Sequence, residues 1–291
     1  MISNDVSPLP DTEVHYLQSE HVGAEFRILV GHPHATGSAP PQVLFIGDPW
    51  GFFGTAVEMI RILNWSGDLP PLLVVAIGYR PVTLEENLAP RSRDFTPTVD
   101  LDSGTTDPLM MGGASRFLAF LRDELKPWVG ERFGVDPDDS AFFGDSLGGL
   151  FAAYVLFHEP ATFPRYGLGS PSLWWDKGIM FDQEAEYARA NDDLSAKVFV
   201  SVGALETPAG DKRWLEQLPA DKRAKAAADM QEGAYTDVDM VVDAERLVAS
   251  LRGRGYPSLE IEFEVLPDEY HQTALASNLS RSLRYLFGAP R

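Results

Sequence analysis

A glycine-flanked serine turn between two apolar segments is the feature that most limits how this chain can fold. Residues 144–148 have the sequence Gly-Asp-Ser-Leu-Gly, a Gly-x-Ser-x-Gly pentapeptide. The apolar residues 140–143 before it predict a short buried strand, and residues 150–157 after it predict a helix that ends before Pro160. A serine at a sharp strand-to-helix turn needs small neighbours two positions away, and the two glycines meet that need. The pattern predicts that the Ser146 hydroxyl is held clear of the sheet as a nucleophile.

Strands and helices alternate along the rest of the chain. This alternation predicts an α/β fold with a mostly parallel central sheet and helices on both faces. A serine turn on such a sheet is typical of the α/β-hydrolase fold. Short apolar runs predict further strands over 22–30, 42–47, 72–78, 165–169, 197–203 and 259–265. In the last of these runs apolar residues alternate with glutamates, which indicates a half-exposed strand near a sheet edge. Helices are predicted over 54–63 and 114–129, whereas residues 80–113 have no regular pattern.

A single domain over residues 1–291 suits this length and pattern. The charged segment 205–242 has no strand character, and its apolar residues recur at helical spacing. We therefore expect a helical lid or insertion packed over the sheet rather than a second domain.

Composition excludes several classes of protein. The chain has no cysteine, so thiol nucleophiles, thiolate metal sites and disulfides are excluded. A net charge of −19 argues against a nucleic-acid partner, because phosphate binding needs clustered Lys and Arg. No apolar run is long enough to span a bilayer, and the amino terminus does not resemble a secretory signal. We expect a cytoplasmic protein with no membrane partner, no metal and no cofactor.

A serine nucleophile needs a base, and His271 is the best placed of the six histidines. It follows the last predicted strand, and functional groups gather at the carboxyl ends of strands in open α/β sheets. The chain order Ser, acid, His of α/β-hydrolases also requires a late histidine.

The acid that orients the base should follow the strand between the serine and the histidine. Glu206 is the first carboxylate after the strand that ends at residue 203, so we expect it to take this role. A serine–histidine dyad without a carboxylate also stays open. The other candidate carboxylates are Asp237, Asp243, Asp268 and Glu269.

An oxyanion hole needs two backbone N–H donors. The N–H of Leu147, directly after the serine, is one candidate. The second should come from the loop after an early strand, residues 47–51. Pro49 has no N–H, so Trp50 is the best candidate in that loop.

Several segments resemble a known family in the same order along the chain. Residues 112–128, with Gly-Gly-Ala and an apolar helix ending in Lys-Pro-Trp, are similar to the helix before the serine turn in the “Putative esterase” family of α/β-hydrolases. Residues 93–97, Arg-Asp-Phe-Thr-Pro, are similar to its Arg-Asp-Tyr-Thr-Pro segment. Residues 170–175, Ser-Pro-Ser-Leu-Trp-Trp, match the same six residues of its siderophore-esterase branch. Residues 43–53 resemble the oxyanion loop, and residues 266–271 resemble its Pro-Gly-Glu-x-His ending.

The resemblance implies a serine esterase that cleaves carboxylic esters of small molecules, siderophore-like lactones among them, through an acyl-enzyme on Ser146. It implies no metal, and it leaves the oligomeric state open. The expected substrate pocket includes Trp174, Trp175 and Arg93, with one tryptophan in the core and the other in the pocket. Two departures from the family pattern are Pro49 in the oxyanion loop and Gln272 after the histidine. An acyltransferase with the same apparatus, or a non-catalytic binding protein on this fold, is the alternative.

Overall fold

Eight strands form one sheet in the order β1-β2-β4-β3-β5-β6-β7-β8, within a computed structural model that describes residues 9–33, 40–80, 84–100, 108–232 and 237–289. The strands are β1 Thr12–Gln18, β2 Glu25–Gly31, β3 Gln42–Ile46, β4 Leu72–Tyr79, β5 Ser140–Asp145, β6 Arg165–Gly169, β7 Ala196–Gly203 and β8 Leu259–Leu266. The pairs β1–β2 and β2–β4 are antiparallel, and the other pairs are parallel. The α/β class and the mostly parallel sheet are confirmed.

Helices cover both faces of the sheet. Their bounds are α1 Phe53–Trp65, α2 Leu84–Phe95, α3 Ala114–Phe120, α4 Lys126–Phe133, α5 Leu147–His158, α6 Trp175–Ala190, α7 Pro208–Gln217, α8 Ala220–Glu232, α9 Met240–Arg254 and α10 Ala274–Phe287. A π-helical turn, Leu121–Leu125, joins α3 to α4. None of the helices within the described ranges is long and apolar enough to cross a bilayer.

Each central strand supplies alternate residues to two cores, as the pleat of a β-strand dictates. On β3, Phe45 belongs to the core shared with α3, α5 and α9, whereas Leu44 belongs to the core shared with α1 and α10. On β5, Phe142 and Phe143 divide between the two cores in the same way. Helix α5 is buried along most of its length, which explains why it is apolar on all sides.

The segment predicted to be irregular, residues 80–113, contains a helix that the sequence did not indicate. Helix α2 has a Pro inside it and a polar sequence, so local propensity argued against it. It forms because tertiary contacts stabilise it: Phe95 is fully buried in the core, and the side chain of Asn87 is almost fully buried. Residues 81–83 and 101–107 of that segment lie outside the described residues, as do residues 233–236 of the predicted insertion. The described part of the insertion consists of α7, α8 and the start of α9.

The edge strand was predicted from its alternating pattern, and β8 does lie at the sheet edge beside β7. Strand β1, at the opposite edge, and the helices α6 and α10 had no counterpart in the sequence prediction. Helix α10 packs against β6 and β7, and it brings Asn278 and Ser282 into the buried region beneath these strands.

Gly144 lies near the end of β5, where the start of α5 passes directly over it. A Cβ added at Gly144 would overlap the backbone carbonyl of Gly148, which cannot move without shifting the helix. We expect Gly144→Ala to lower the free energy of unfolding by about 3 kcal/mol or more, as an overpacking change against backbone does. Gly253→Ala is the control, because that position lies in α9 with open space around it. The control should gain up to about 1 kcal/mol from helix propensity. Equal stabilities in denaturant titrations would contradict the packing argument.

Candidate active site

Ser146 has a strained backbone conformation between β5 and α5. Its φ of 59° and ψ of −121° lie in a region that residues other than glycine seldom occupy. Two hydrogen bonds hold it there: the Ser146 N–H donates to the Gly169 carbonyl over 2.9 Å, and the Ser172 N–H donates to the Ser146 carbonyl over 3.1 Å. The Oγ atoms of Ser146 and Ser172 lie 3.3 Å apart. The turn therefore holds the hydroxyl at the carboxyl end of the sheet, beside the loop after β6.

Glu206 and His271 lie in the loops after the neighbouring strands β7 and β8. The Oε2 atom of Glu206 is 2.6 Å from Nδ1 of His271. The two loops are also joined through their backbones, because the Leu205 N–H donates to the Glu269 carbonyl over 3.0 Å. Parallel neighbouring strands end at the same edge of a sheet, and that is why residues 65 positions apart meet here.

The second oxygen of Glu206 accepts two further hydrogen bonds. The Ser170 hydroxyl donates to Oε1 over 2.5 Å, and the Gly203 N–H donates to it over 2.7 Å. Glu206 is only 3% exposed, so these donors replace the water that the carboxylate has lost. With Oε2 facing the histidine, both oxygens of the buried carboxylate are satisfied.

Asn278 from α10 determines which way the Ser170 hydroxyl points. Its Oδ1 accepts from the Ser201 hydroxyl over 2.8 Å, so its Nδ2 must be the donor on the other side. Nδ2 donates to Asp145 Oδ1 over 2.8 Å and to Ser170 Oγ over 3.0 Å. Because Ser170 accepts from Asn278, its own proton is directed to Glu206. The network thus runs from the end of β5 to the acid–histidine pair.

The charge around His271 favours its protonated form. Burial alone would lower its pKa, but the hydrogen bond and the negative charge of Glu206 raise the pKa above the ordinary value of 6.5. The charge of Asp145 acts in the same direction, and that of Arg91 opposes it. An imidazolium at this position is therefore stabilised, as general-base chemistry requires.

Two other carboxyl groups near the histidine have raised pKa values. Burial raises the pKa of Asp145 to about 7, while His271 and the hydrogen bond from Asn278 oppose this rise. Partial burial raises the pKa of Asp211, in the first turn of α7, to about 6. There the His271 charge acts to lower the pKa and the Glu206 charge acts to raise it.

Arg91 on α2 braces the loop after β3 against the serine turn. Its Nε donates to both carboxylate oxygens of Asp48, over 2.8 and 3.0 Å, and its Nη2 donates to the Asp145 carbonyl over 3.0 Å. Leu147 is the first residue of α5, so its N–H has no acceptor within the helix. Trp50 follows the braced Asp48, and its side chain is 42% exposed.

A cavity of 380 Å³ opens beside Ser146. Four of the residues expected from the sequence line it: Ser146, Glu206, His271 and Trp174. The other lining residues are Ser172, Asp211, Trp214, Ala226, Val238, Met240, Tyr270 and Gln272. The segment 205–242 therefore contributes one wall of the cavity. Within the described ranges, no group of three or more His, Asp or Glu side chains is arranged to hold a metal ion.

Four other expected residues lie outside the described lining of this cavity, and Leu147, at the start of α5, is one of them. Trp175 is buried in the core, and its indole N–H donates to Thr98 Oγ1 over 3.2 Å. Arg93 forms a two-pronged ion pair with the buried Asp94, at 2.7 and 2.8 Å. Trp50 lies in the loop after β3. Of the adjacent tryptophans, Trp174 therefore lines the cavity and Trp175 fills the core.

Several residues of the site escaped the sequence analysis. Ser170 and Ser172 stood in the quoted Ser-Pro-Ser segment without an assigned role. Asn278 lies on the buried face of α10, and a polar residue on that face was the available signal. Arg91 and Asp211 gave no signal, because charged residues on helices are mostly solvated. The rival carboxylate Asp243 lies in α9, where its charged neighbours are Arg246 and Asp239 rather than His271.

The chain is similar to proteins that act on siderophore esters. The family model described as “Putative esterase” matches residues 97–245. The siderophore triacetylfusarinine C esterase of Aspergillus fumigatus is 31% identical over 294 residues, 96% of this chain and 94% of that protein. The ferri-bacillibactin esterase BesA of Bacillus subtilis is 31% identical over 68% of this chain and 72% of its own length.

Solved structures agree with the fold. The siderophore hydrolase EstB from Aspergillus nidulans superimposes with a TM-score of 0.78 and 26% identity, and the match covers 99% of this chain and 100% of that one. The BES protein from Bacillus cereus gives the same TM-score of 0.78 at 24% identity over 99% of both chains, which supports the fold alone.

Because the pKa of Asp145 is raised in the folded protein, the free energy of unfolding should depend on pH. The folded protein holds a proton on Asp145 up to about pH 7, whereas the unfolded chain releases it near 3.8. The unfolded state therefore binds fewer protons in this window, so the contribution of Asp145 to stability falls as the pH rises. In Asp145→Asn this fall is absent. We expect the free energy of unfolding of the variant, relative to the native protein, to rise by about 2 kcal/mol from about pH 5 to about pH 8.

Asp193→Asn is the control for this pH dependence. Hydrogen bonds from Ser258 and Leu194 lower the pKa of Asp193, so it is ionised in both states throughout the same window. Its difference from the native protein should therefore stay constant. A difference for Asp145→Asn that is equally constant in denaturant titrations would show that the carboxyl group is ionised in the folded protein.

Proposed function

Because the chain belongs to the “Putative esterase” family and is a carboxylic ester hydrolase, we propose that it cleaves siderophore-type esters, lactones included, through an acyl-enzyme on Ser146. The names of the two relatives support the substrate class. The main support for the mechanism is the 2.6 Å distance between His271 Nδ1 and Glu206 Oε2. Both residues line the same cavity as Ser146. A cytoplasmic location stays a prediction.

Acylation begins when Ser146 Oγ attacks the ester carbonyl carbon. Its proton passes to Nε2 of His271, and the carbonyl oxygen gains the negative charge. Glu206 stabilises the imidazolium that forms and keeps the Nδ1 proton directed toward itself. The imidazolium then gives its proton to the departing alcohol oxygen as the carbon–oxygen bond breaks. In the second half, a water molecule gives a proton to Nε2 of His271 and its oxygen attacks the acyl carbonyl carbon. The imidazolium then returns this proton to Ser146 Oγ as the bond from Oγ to the acyl carbon breaks, which releases the acid and restores the free serine.

The oxyanion is stabilised by the N–H groups of Leu147 and Trp50. Leu147 supports this role because its N–H lies at the start of a buried helix, where the backbone has no internal acceptor and the helix dipole is positive. The loop that carries Trp50 is fixed to the serine turn through Asp48 and Arg91. Preorganised donors of this kind are effective because they need no rearrangement as charge develops.

Covalent labelling tests the nucleophile. A fluorophosphonate probe should modify Ser146, and Ser146→Ala should abolish labelling and lower kcat by a factor on the order of 10⁴ to 10⁶. Ser172→Ala is the matched control, because Ser172 lines the same cavity, and it should still be labelled. The native protein should release free acid and alcohol from p-nitrophenyl butyrate and from ferric siderophore lactones, as mass spectrometry would detect. Labelling that persists in Ser146→Ala would overturn the assignment.

Glu206→Gln tests the orienting role of the carboxylate. The Gly203 N–H and Ser170 hydroxyl both donate to Oε1, so the amide oxygen of the glutamine must occupy that position. Its NH₂ group then faces Nδ1 of His271 and stabilises the tautomer whose Nε2 cannot accept the Ser146 proton. We expect kcat to fall by a factor on the order of 10² to 10⁴.

The pH profile of the same variant separates this role from a structural one. A neutral His271 is the active form, so kcat/KM should rise with pH through a pKa that Glu206 holds above 6.5. Without the negative charge of Glu206 this pKa should fall, and the rising limb should move to lower pH. An unchanged limb with a reduced plateau would indicate that Glu206 only supports the fold.

A further inference from the structure

One charged group in the cavity has no part in the proposed mechanism. The carboxyl and imidazole groups in the described lining belong to Glu206, His271 and Asp211, and no Lys or Arg belongs to that lining. Both oxygens of Glu206 are occupied by His271, Ser170 and Gly203. Asp211, in contrast, has a half-buried carboxylate that forms no hydrogen bond or ion pair with any described residue. At neutral pH it carries a negative charge, because its pKa of about 6 lies below that pH.

Aromatic rings line the same space. Trp174 enters from the loop after β6, Trp214 from α7 and Tyr270 from the loop after β8, and all three are partly buried. The faces of indole and phenol rings attract cations, and the attraction is strongest where water is excluded. A carboxylate with aromatic rings around one cavity is the combination that binds ammonium groups. The same cavity disfavours a carboxylate or phenolate, because the nearby charge is negative.

We propose that Asp211, Trp174 and Trp214 form a subsite for a positively charged group, such as an amine or a quaternary ammonium, on the ester that Ser146 attacks. This inference rests on the proposed function, and it makes the substrate a cationic ester rather than an anionic one. Asp211 also lies in the first turn of α7, where a carboxylate stabilises the helix dipole. That role would affect stability but not the choice between substrates.

Three matched esters test the subsite in the native protein. The first is the p-nitrophenyl ester of ω-trimethylammonio-hexanoate, the second replaces the trimethylammonio group by tert-butyl, and the third is the p-nitrophenyl half ester of heptanedioate. The first two have the same shape and differ in charge. At about pH 8, where the carboxylate is ionised, kcat/KM should be about tenfold higher for the cation than for its neutral isostere, and lowest for the anion.

Variants assign the preference to its residues. Asp211→Asn should bring the cation-to-isostere ratio close to unity while the neutral ester is still cleaved. Glu216→Gln is the matched control, because it removes the same charge from an exposed position on α7, and it should keep the ratio. Trp214→Leu should lower the ratio and Trp214→Phe should retain most of it, which gives a second test if Asp211→Asn does not fold.

The outcomes separate this inference from the proposed function. A native protein that cleaves both uncharged and charged esters at equal rates, or an Asp211→Asn variant that keeps the native ratio, would overturn the subsite and leave the esterase mechanism intact. If none of the esters is cleaved and Ser146 is not labelled, the proposed function itself is wrong. A preference that vanishes in Glu216→Gln as well would assign it to overall charge rather than to Asp211.

Discussion

The buried carboxylate of Glu206 sets the arrangement of the whole site. An ionised group withdrawn from water is costly unless its charge is balanced and its oxygens accept hydrogen bonds. Here the donors come from the ends of β6 and β7 and from the loop after β8. Each of those segments must end at the correct residue for the carboxylate to be satisfied. Glu206 therefore joins the ends of three strands in one geometry, and the position of His271 follows from it.

The strained serine turn depends on the same convergence. The positive φ of Ser146 is unfavourable in isolation and persists because neighbouring backbone groups hold both of its peptide units. One of these groups is the Gly169 carbonyl, and Ser170, the next residue, donates to Glu206. Asn278 then connects Glu206, through Ser170, to Asp145, which immediately precedes the nucleophile. The strain at Ser146 and the hydrogen bonds that satisfy Glu206 are thus consequences of one packed set of loops.

The proposed subsite for the substrate comes from a different part of the chain. The proposed nucleophile, acid and base follow the strands β5, β7 and β8, whereas Asp211, Trp214 and Met240 come from the segment after β7. Such a division lets the catalytic geometry stay fixed while the cavity wall changes in charge and shape. Of the two carboxylates in the described cavity lining, Asp211 has no part in the proposed mechanism, which is why we connect its charge with the substrate.

The sequence alone showed the order of the candidate catalytic residues along the chain: a serine at a glycine-flanked turn, then an acid, then a late histidine. Short apolar runs revealed most of the strands, because a parallel strand buried on both faces must be apolar throughout. The sequence did not reveal α2. The polar residues and the internal proline of this helix give it a low helix propensity, and contacts with the core stabilise it. The sequence also could not show which of Trp174 and Trp175 faces the cavity, since the directions of two neighbouring side chains at the start of a helix depend on the backbone angles there. Asn278 and Arg91 acquired their positions from tertiary packing, because their hydrogen-bond partners, 43 to 133 residues away, meet them only once the sheet has formed.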